Sequence, residues 1–153
     1  MSYKQPVSVL VVVHTSNFEV LLIERADFKN HWQSVTGSCE KDESLVSTAI
    51  REVYEETAIH VEKNELLNWQ ESSDYLIYPK WRHRYAPGVT INTEHKFSLC
   101  VSRDIEIKLK PLEHSNYEWL LLEEAANRCF SETNRQAIYK LPSMFKMHLH
   151  QNG

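Results

Sequence analysis

The chain has 153 residues, 42% of them hydrophobic and 25% charged, with a net charge of −4. That length suits one domain, residues 1–153, whose core folds without staples. The acidic balance argues against a general nucleic-acid binder, which carries a basic surface. A nucleotide enzyme stays open, because bound cations supply the positive charge there. Cys39, Cys100 and Cys129 are odd in number and widely spaced, which fits free thiols in a reducing compartment better than a disulfide framework or a zinc ribbon. The apolar run Val7–Val13 is too short for a signal peptide or a membrane span, so the expected location is the cytoplasm.

In chain order, Val7–Val13 is rich in β-branched residues and reads as a buried strand. Val20–Ile23 reads as a second strand, paired with the first as a hairpin. Trp32–Thr36 is a short third strand that Gly37 ends. Residues 44–57 carry Leu45, Ala49 and Val53 at helical spacing, with Asp42 or Ser44 as the cap. One strand is expected within Leu66–Tyr78 and another over His95–Val101. Tyr117–Leu121 then leads into a helix over Leu122–Arg128. A last helix starts near Thr133, capped by Ser131 or Thr133, and Pro142 is expected to end or kink it. This order gives a mixed α/β fold without the regular βαβ repeat of a doubly wound sheet.

The chemistry concentrates between Gly37 and Ile59. On a helix, Glu52, Glu55 and Glu56 stand at i, i+3 and i+4 and share one face. Each like-charge pair at that spacing costs about 0.2–0.5 kcal/mol, so a cation should offset them. Arg51 lies about 100° round the helix from Glu52 and serves only part of the cluster. A hard divalent cation suits an all-oxygen site better. Glu43 precedes the helix, within reach of Arg51. Gly37 lets the backbone approach a metal or phosphate, and its carbonyl can act as a ligand. A solvated acidic helix face is the plainer alternative. Residue types fixed at this many offsets match by chance at roughly one start in 10⁶–10⁷, however.

Gly37, Glu43, Arg51, Glu52, Val53, Glu55, Glu56 and Ile59 resemble the Nudix box, Gly-x5-Glu-x7-Arg-Glu-U-x-Glu-Glu-x-Gly-U, where U is a bulky aliphatic residue. Ala58 departs from it, standing where the family usually has glycine; that glycine serves the helix end. The stretches around Arg25 and Trp32–Gly37, Arg82–Val89 and Asn134–Ile138 resemble the dihydroneopterin triphosphate pyrophosphatase branch, also called dATP pyrophosphohydrolase. The resemblance implies an α/β/α sandwich with a mixed central sheet and a loop–helix–loop. It implies Mg²⁺, with Mn²⁺ as a substitute, and release of pyrophosphate from a pterin or deoxynucleoside triphosphate.

By the same resemblance, Glu52 and Glu56 bind metal, and Glu55 is a ligand or orients the water. Glu113 completes the site, with Glu94 as its rival. Lys4 and Arg25 are candidates to meet the phosphates, with a surface cation as the alternative for Arg25. Thr36 and Ser131 align with substrate contacts of the branch, with a strand hydroxyl and a helix cap as the respective alternatives. Tyr75, Tyr78 and Trp81 are candidates to stack on a ring, with core packing as the alternative for each. The run Lys80–Tyr85 mixes cations and aromatics; it reads as a substrate-holding loop rather than a nucleic-acid patch. No stable nucleic-acid or membrane partner is expected. Triphosphorylated RNA ends or dinucleoside polyphosphates are the rival substrates, and a non-catalytic nucleotide sensor is the rival role. The histidines, His148 and His150 included, form no zinc spacing.

Overall fold

A computed structural model describes residues 3–152, apart from the side chains of His148 and 150–152. The reading that His148 and His150 form no zinc site concerns side chains outside the described residues. The strands are β1 (Val7–His14), β2 (Glu19–Arg25), β3 (Trp32–Gln33), β4 (Val35–Ser38), β5 (Leu66–Leu76), β6 (Ile91–Cys100) and β7 (His114–Leu121). The helices are α1 (Leu45–Thr57), α2 (Leu122–Arg128) and α3 (Glu132–Asn152). The main sheet path is β3-β2-β1-β6-β5, with β4 paired to β1 and β7 to β2. Among the paired strands of the described residues, β1 and β6 alone run parallel, from Val7↔Thr93 to His14↔Cys100, and an isolated parallel bridge joins Trp32 to Cys129. The sheet is mixed, as expected.

The continuous apolar run of β1 follows from burial on both faces. Val9, Val11 and Val13 pack with Ala49 and Val53 of α1. Leu10 and Val12 pack with Ala125 and Ala126 of α2 and Ile138 and Leu141 of α3. Helices cover both sides of the sheet. The β1–β2 hairpin is shallow, registered only at His14↔Val20. The strands then part, and β4 takes over beside β1 from Ser8↔Ser38 to Val11↔Val35.

Several boundaries differ from the sequence expectation. The third strand is two strands, broken at Ser34, and Gly37 lies inside β4 rather than ending it. The break has a cause: Ser34 N donates to Asn134 Oδ1 at 2.8 Å, and Asn134 Nδ2 donates to Ser34 Oγ at 3.0 Å. A side chain from α3 replaces the ladder partner. Strand β6 begins at Ile91, four residues early, because the polar residues Asn92, Glu94 and Lys96 face inward and hide the alternation. Helix α3 runs past Pro142 to Asn152; Leu141 and Met144 are buried on either side of the proline and hold it to the core. Ser44 is the α1 cap, its side chain accepting from Ser47 N at 3.1 Å.

Candidate active site

Helix α1 crosses the end of β4 with its carboxylates in contrasting settings. Arg51 is the hub. Its Nε and Nη2 grip the two oxygens of Glu43 at 2.9 and 2.8 Å. Its Nη1 reaches Glu52 at 2.7 Å and Glu55 at 3.2 Å, and its Nη2 also donates to the Ser38 carbonyl at 3.0 Å. Bidentate guanidinium–carboxylate pairing is among the stronger protein contacts, and it holds the Glu43 carboxyl down at about 2. Thr48 Oγ1 and the backbone N–H of Glu40 also donate to Glu43. Glu43 thus ties the loop before α1 to the helix and does not line the cleft.

Glu56 stands outside this network. It is 4% exposed and receives one hydrogen bond, from Thr36 N at 3.3 Å. Burial first, then the charge of Glu52, raises its carboxyl well above the ordinary range. Burial pushes Glu52 up to about 7, against the pull of Arg51, with Glu55 and Glu113 adding to the rise. A Cβ at Gly37 would overlap the Glu52 carboxylate, so glycine is what lets this carboxylate lie against β4.

Glu113, just before β7, brings its carboxylate beside Glu56. Ligand atoms of Glu56, Glu113 and His114 all lie within 4.8 Å of one another. His114 is 4% exposed, and its Nδ1 is buried with no partner. The rival Glu94 is committed elsewhere, paired with Lys96 at 3.2 Å and accepting from Thr133 Oγ1 at 3.1 Å. Converging acidic oxygens, raised carboxyl pKa values and an orphaned imidazole nitrogen fit a divalent cation.

These groups stand at one end of a cleft of about 1450 Å³. Lys4, Arg25, Thr36, Tyr75, Tyr78, Trp81 and Ser131 line the same cleft, so the structure brings the candidate substrate residues together. Several are already engaged. Thr36 Oγ1 donates to the Val9 carbonyl at 3.0 Å. Ser131 Oγ accepts from Asn134 N at 3.4 Å at the start of α3. Arg25 is paired to Asp27 at 2.9 and 2.8 Å and lies over the Trp81 ring at 4.9 Å. Lys4 keeps water contact, yet the packing around its ammonium, followed by Arg84 and Arg25, lowers its pKa; Glu52 and Glu113 pull the other way. Burial, then the charge of Glu94, raises the Tyr75 hydroxyl.

The sequence alone does not single out His114 or Phe130, whereas Arg84 lies in the run read as a substrate-holding loop and does line the cleft. Phe130 stacks on His31 at 4.6 Å and faces Tyr78 at 6.4 Å. A histidine beside Glu113 and a phenylalanine beside Ser131 were the available signals, since neighbours of site residues share their surroundings.

Comparison with known proteins agrees with this geometry. Residues 4–141 match the NUDIX domain model. The chain is 44% identical over 139 residues to the dihydroneopterin triphosphate diphosphatase of Escherichia coli (strain K12), covering 89% of this chain and 91% of that one. It is 39% identical over 145 residues to the protein of that name from Haemophilus influenzae, covering 92% and 89%. The solved structure of the E. coli dihydroneopterin triphosphate pyrophosphohydrolase superposes with a TM-score of 0.83 at 42% identity, covering 92% of this chain and 97% of that one. With the box carboxylates gathered over a mixed sheet and the family model spanning nearly the whole sequence, the chain belongs to the NUDIX domain family.

Proposed function

We propose that this protein hydrolyses a pterin or deoxynucleoside triphosphate to pyrophosphate and a monophosphate, with dihydroneopterin triphosphate as the leading substrate. One observation carries the reading: a single cleft joins the Glu52–Glu56–Glu113 end to an aromatic end, in a chain 44% identical to a diphosphatase named for that substrate. The rival substrates, RNA ends and dinucleoside polyphosphates, have no comparable support.

Glu52, Glu56 and Glu113 would hold Mg²⁺, with Mn²⁺ as a substitute; His114, whose ring nitrogen lies within 4.8 Å of the Glu56 and Glu113 oxygens, and the Gly37 carbonyl would be the further donors. Such an ion neutralises phosphate charge and lowers the pKa of a bound water. The side chains supply the rest. Lys4 and Arg25 hold the phosphate chain. Glu55, bound to Arg51 through one contact, keeps acceptor capacity to orient the attacking water. Tyr78 and Phe130 present ring faces to a flat heterocycle. Glu43 acts through Arg51 by fixing where Glu52 points. Among the described residues no helix is long and apolar enough to cross a membrane.

The test is incubation of the purified protein with dihydroneopterin triphosphate and Mg²⁺. Pyrophosphate with the monophosphate is the expected product pair. Orthophosphate alone, or no turnover of either this substrate or dATP, sinks the reading.

A further inference from the structure

Strand β6 carries a run that the reaction above leaves unused. Alternate residues of a strand share one face, and on one face of β6 these are Asn92, Glu94, Lys96 and Ser98, each at most 6% exposed. Replacing a buried ion pair by apolar side chains is often neutral or stabilising, so stability alone does not account for Glu94 and Lys96. Glu94 Oε1 is taken twice, by Lys96 Nζ at 3.2 Å and by Thr133 Oγ1 at 3.1 Å. Its Oε2 has no hydrogen bond among the described residues, although an ionised carboxylate offers about four acceptor sites. Next along that face, Asn92 donates from Nδ2 to Ser8 Oγ at 2.7 Å, while its Oδ1 is buried with no partner. One buried orphan acceptor, Asn92 Oδ1, and one carboxylate oxygen with spare acceptor capacity, Glu94 Oε2, therefore stand two residues apart on the same face of β6.

Glu94 and Asn92 line the cleft near Tyr75, Tyr78 and Phe130. Ser8 of β1 is registered with Glu94 on one side and Ser38 on the other. Glu94 thus lies two strand spacings, about 10 Å, across the sheet from the Gly37–Ser38 end. A substrate with its phosphates at Glu56 can lay its ring there.

We infer that Glu94 reads the hydrogen-bond donor edge of the substrate's ring, the 2-amino group and adjacent ring N–H that dihydropterin and guanine share. The inference rests on the proposed function. Two acceptors call for donors; a carbonyl or a bare ring nitrogen placed there would meet like partners. Lys96 balances the buried charge, and Thr133 fixes the carboxylate's orientation. A site built to bond a donor rejects an analogue lacking it, because its buried polar groups are then left unpaired.

The ligands dGTP and dITP differ only in the 2-amino group. Their dissociation constants are measured by calorimetry with Mg²⁺ on the full chain carrying Glu56→Gln, the change expected to suppress turnover, with the nucleotide checked for hydrolysis afterwards. We expect dGTP to bind roughly tenfold tighter or more. Adding Glu94→Leu with Lys96→Met, which swaps the pair for apolar residues, should bring the ratio within about twofold of one. Glu94→Gln, which keeps the side chain's size, should lower it in the same direction. The ratio is taken within one preparation, so an unfolded fraction cancels. Equal affinities before these changes, or a ratio that survives them, overturn the inference. Pyrophosphate release from dihydroneopterin triphosphate is assayed separately on the unaltered protein. Turnover without discrimination removes the ring reader and spares the function, whereas discrimination without turnover does the reverse.

Discussion

The two ends of helix α1 handle negative charge in opposite ways. At the first, Glu43 receives two guanidinium bonds, a hydroxyl and a backbone N–H, and its carboxyl is held at about 2. At the other, the nearly inaccessible Glu56 has one hydrogen bond and is raised well above the carboxylate range. A satisfied network rigidifies a loop; an unsatisfied one stores an attraction for whatever cation arrives. One arginine creates the difference, because Arg51 reaches Glu43, Glu52 and Glu55 but makes no contact with Glu56.

Breaking each end separately tests that division. Glu56→Gln should lower turnover by about 10³-fold or more, leave the far-ultraviolet dichroism intact, and leave the melting temperature of the cation-free protein at neutral pH no lower than before, since it removes a buried carboxyl. Near-normal pyrophosphate release would remove Glu56 from the site. Glu43→Gln should do the converse, lowering stability by about 1 kcal/mol in a denaturant titration and costing less activity. A loss of activity as large as that of Glu56→Gln would erase the distinction between the ends.

Acidity sharpens the same contrast. The Glu52 carboxyl ordinarily titrates near 4.5 and is pushed to about 7 in the fold. Between those values the folded chain keeps a proton that the unfolded chain has released. Cation-free stability should therefore decline as pH rises from about 4.5 through about 7. Glu56 shifts in the same direction and adds to the decline. Added Mg²⁺ should raise the melting temperature more at pH 8 than at pH 5, where these groups hold protons. Equal cation effects at the two values would mean that the raised carboxylates are not the ligands. The smallest effect belongs to the helix end. Ala58 sits in the left-handed region at φ 64°, its N–H bonded to the Tyr54 carbonyl. Ala58→Gly should stabilise by about 1 kcal/mol, or roughly 2–4 °C in melting temperature, with KM unchanged.

Much of this was legible in the sequence because the box residues are local. Spacing alone puts Glu52, Glu55 and Glu56 on one helical face, and Ser44 fits a cap. What stayed hidden depends on contacts between distant residues. The strand break at Ser34 is made by Asn134, 100 positions away. The start of β6 was masked because its inward face is polar, so the usual alternation of apolar residues fails at the cleft wall. The crowding of Glu113 and His114 against Glu56 needs the sheet to bring β7 and α1 together, which no spacing encodes.

The pairing of Ser34 with Asn134 also bears on how the molecule comes into being. A growing chain emerges N-terminus first, at about 5–20 residues per second, so every box glutamate is made well before α3. Until Asn134 appears, the Ser34 amide lacks its partner, and the start of α3, with Ser131 and Thr133, is not yet tied to the sheet. A chain interrupted just short of that point would hold all its acids without the cross-link that fastens the last helix beside them.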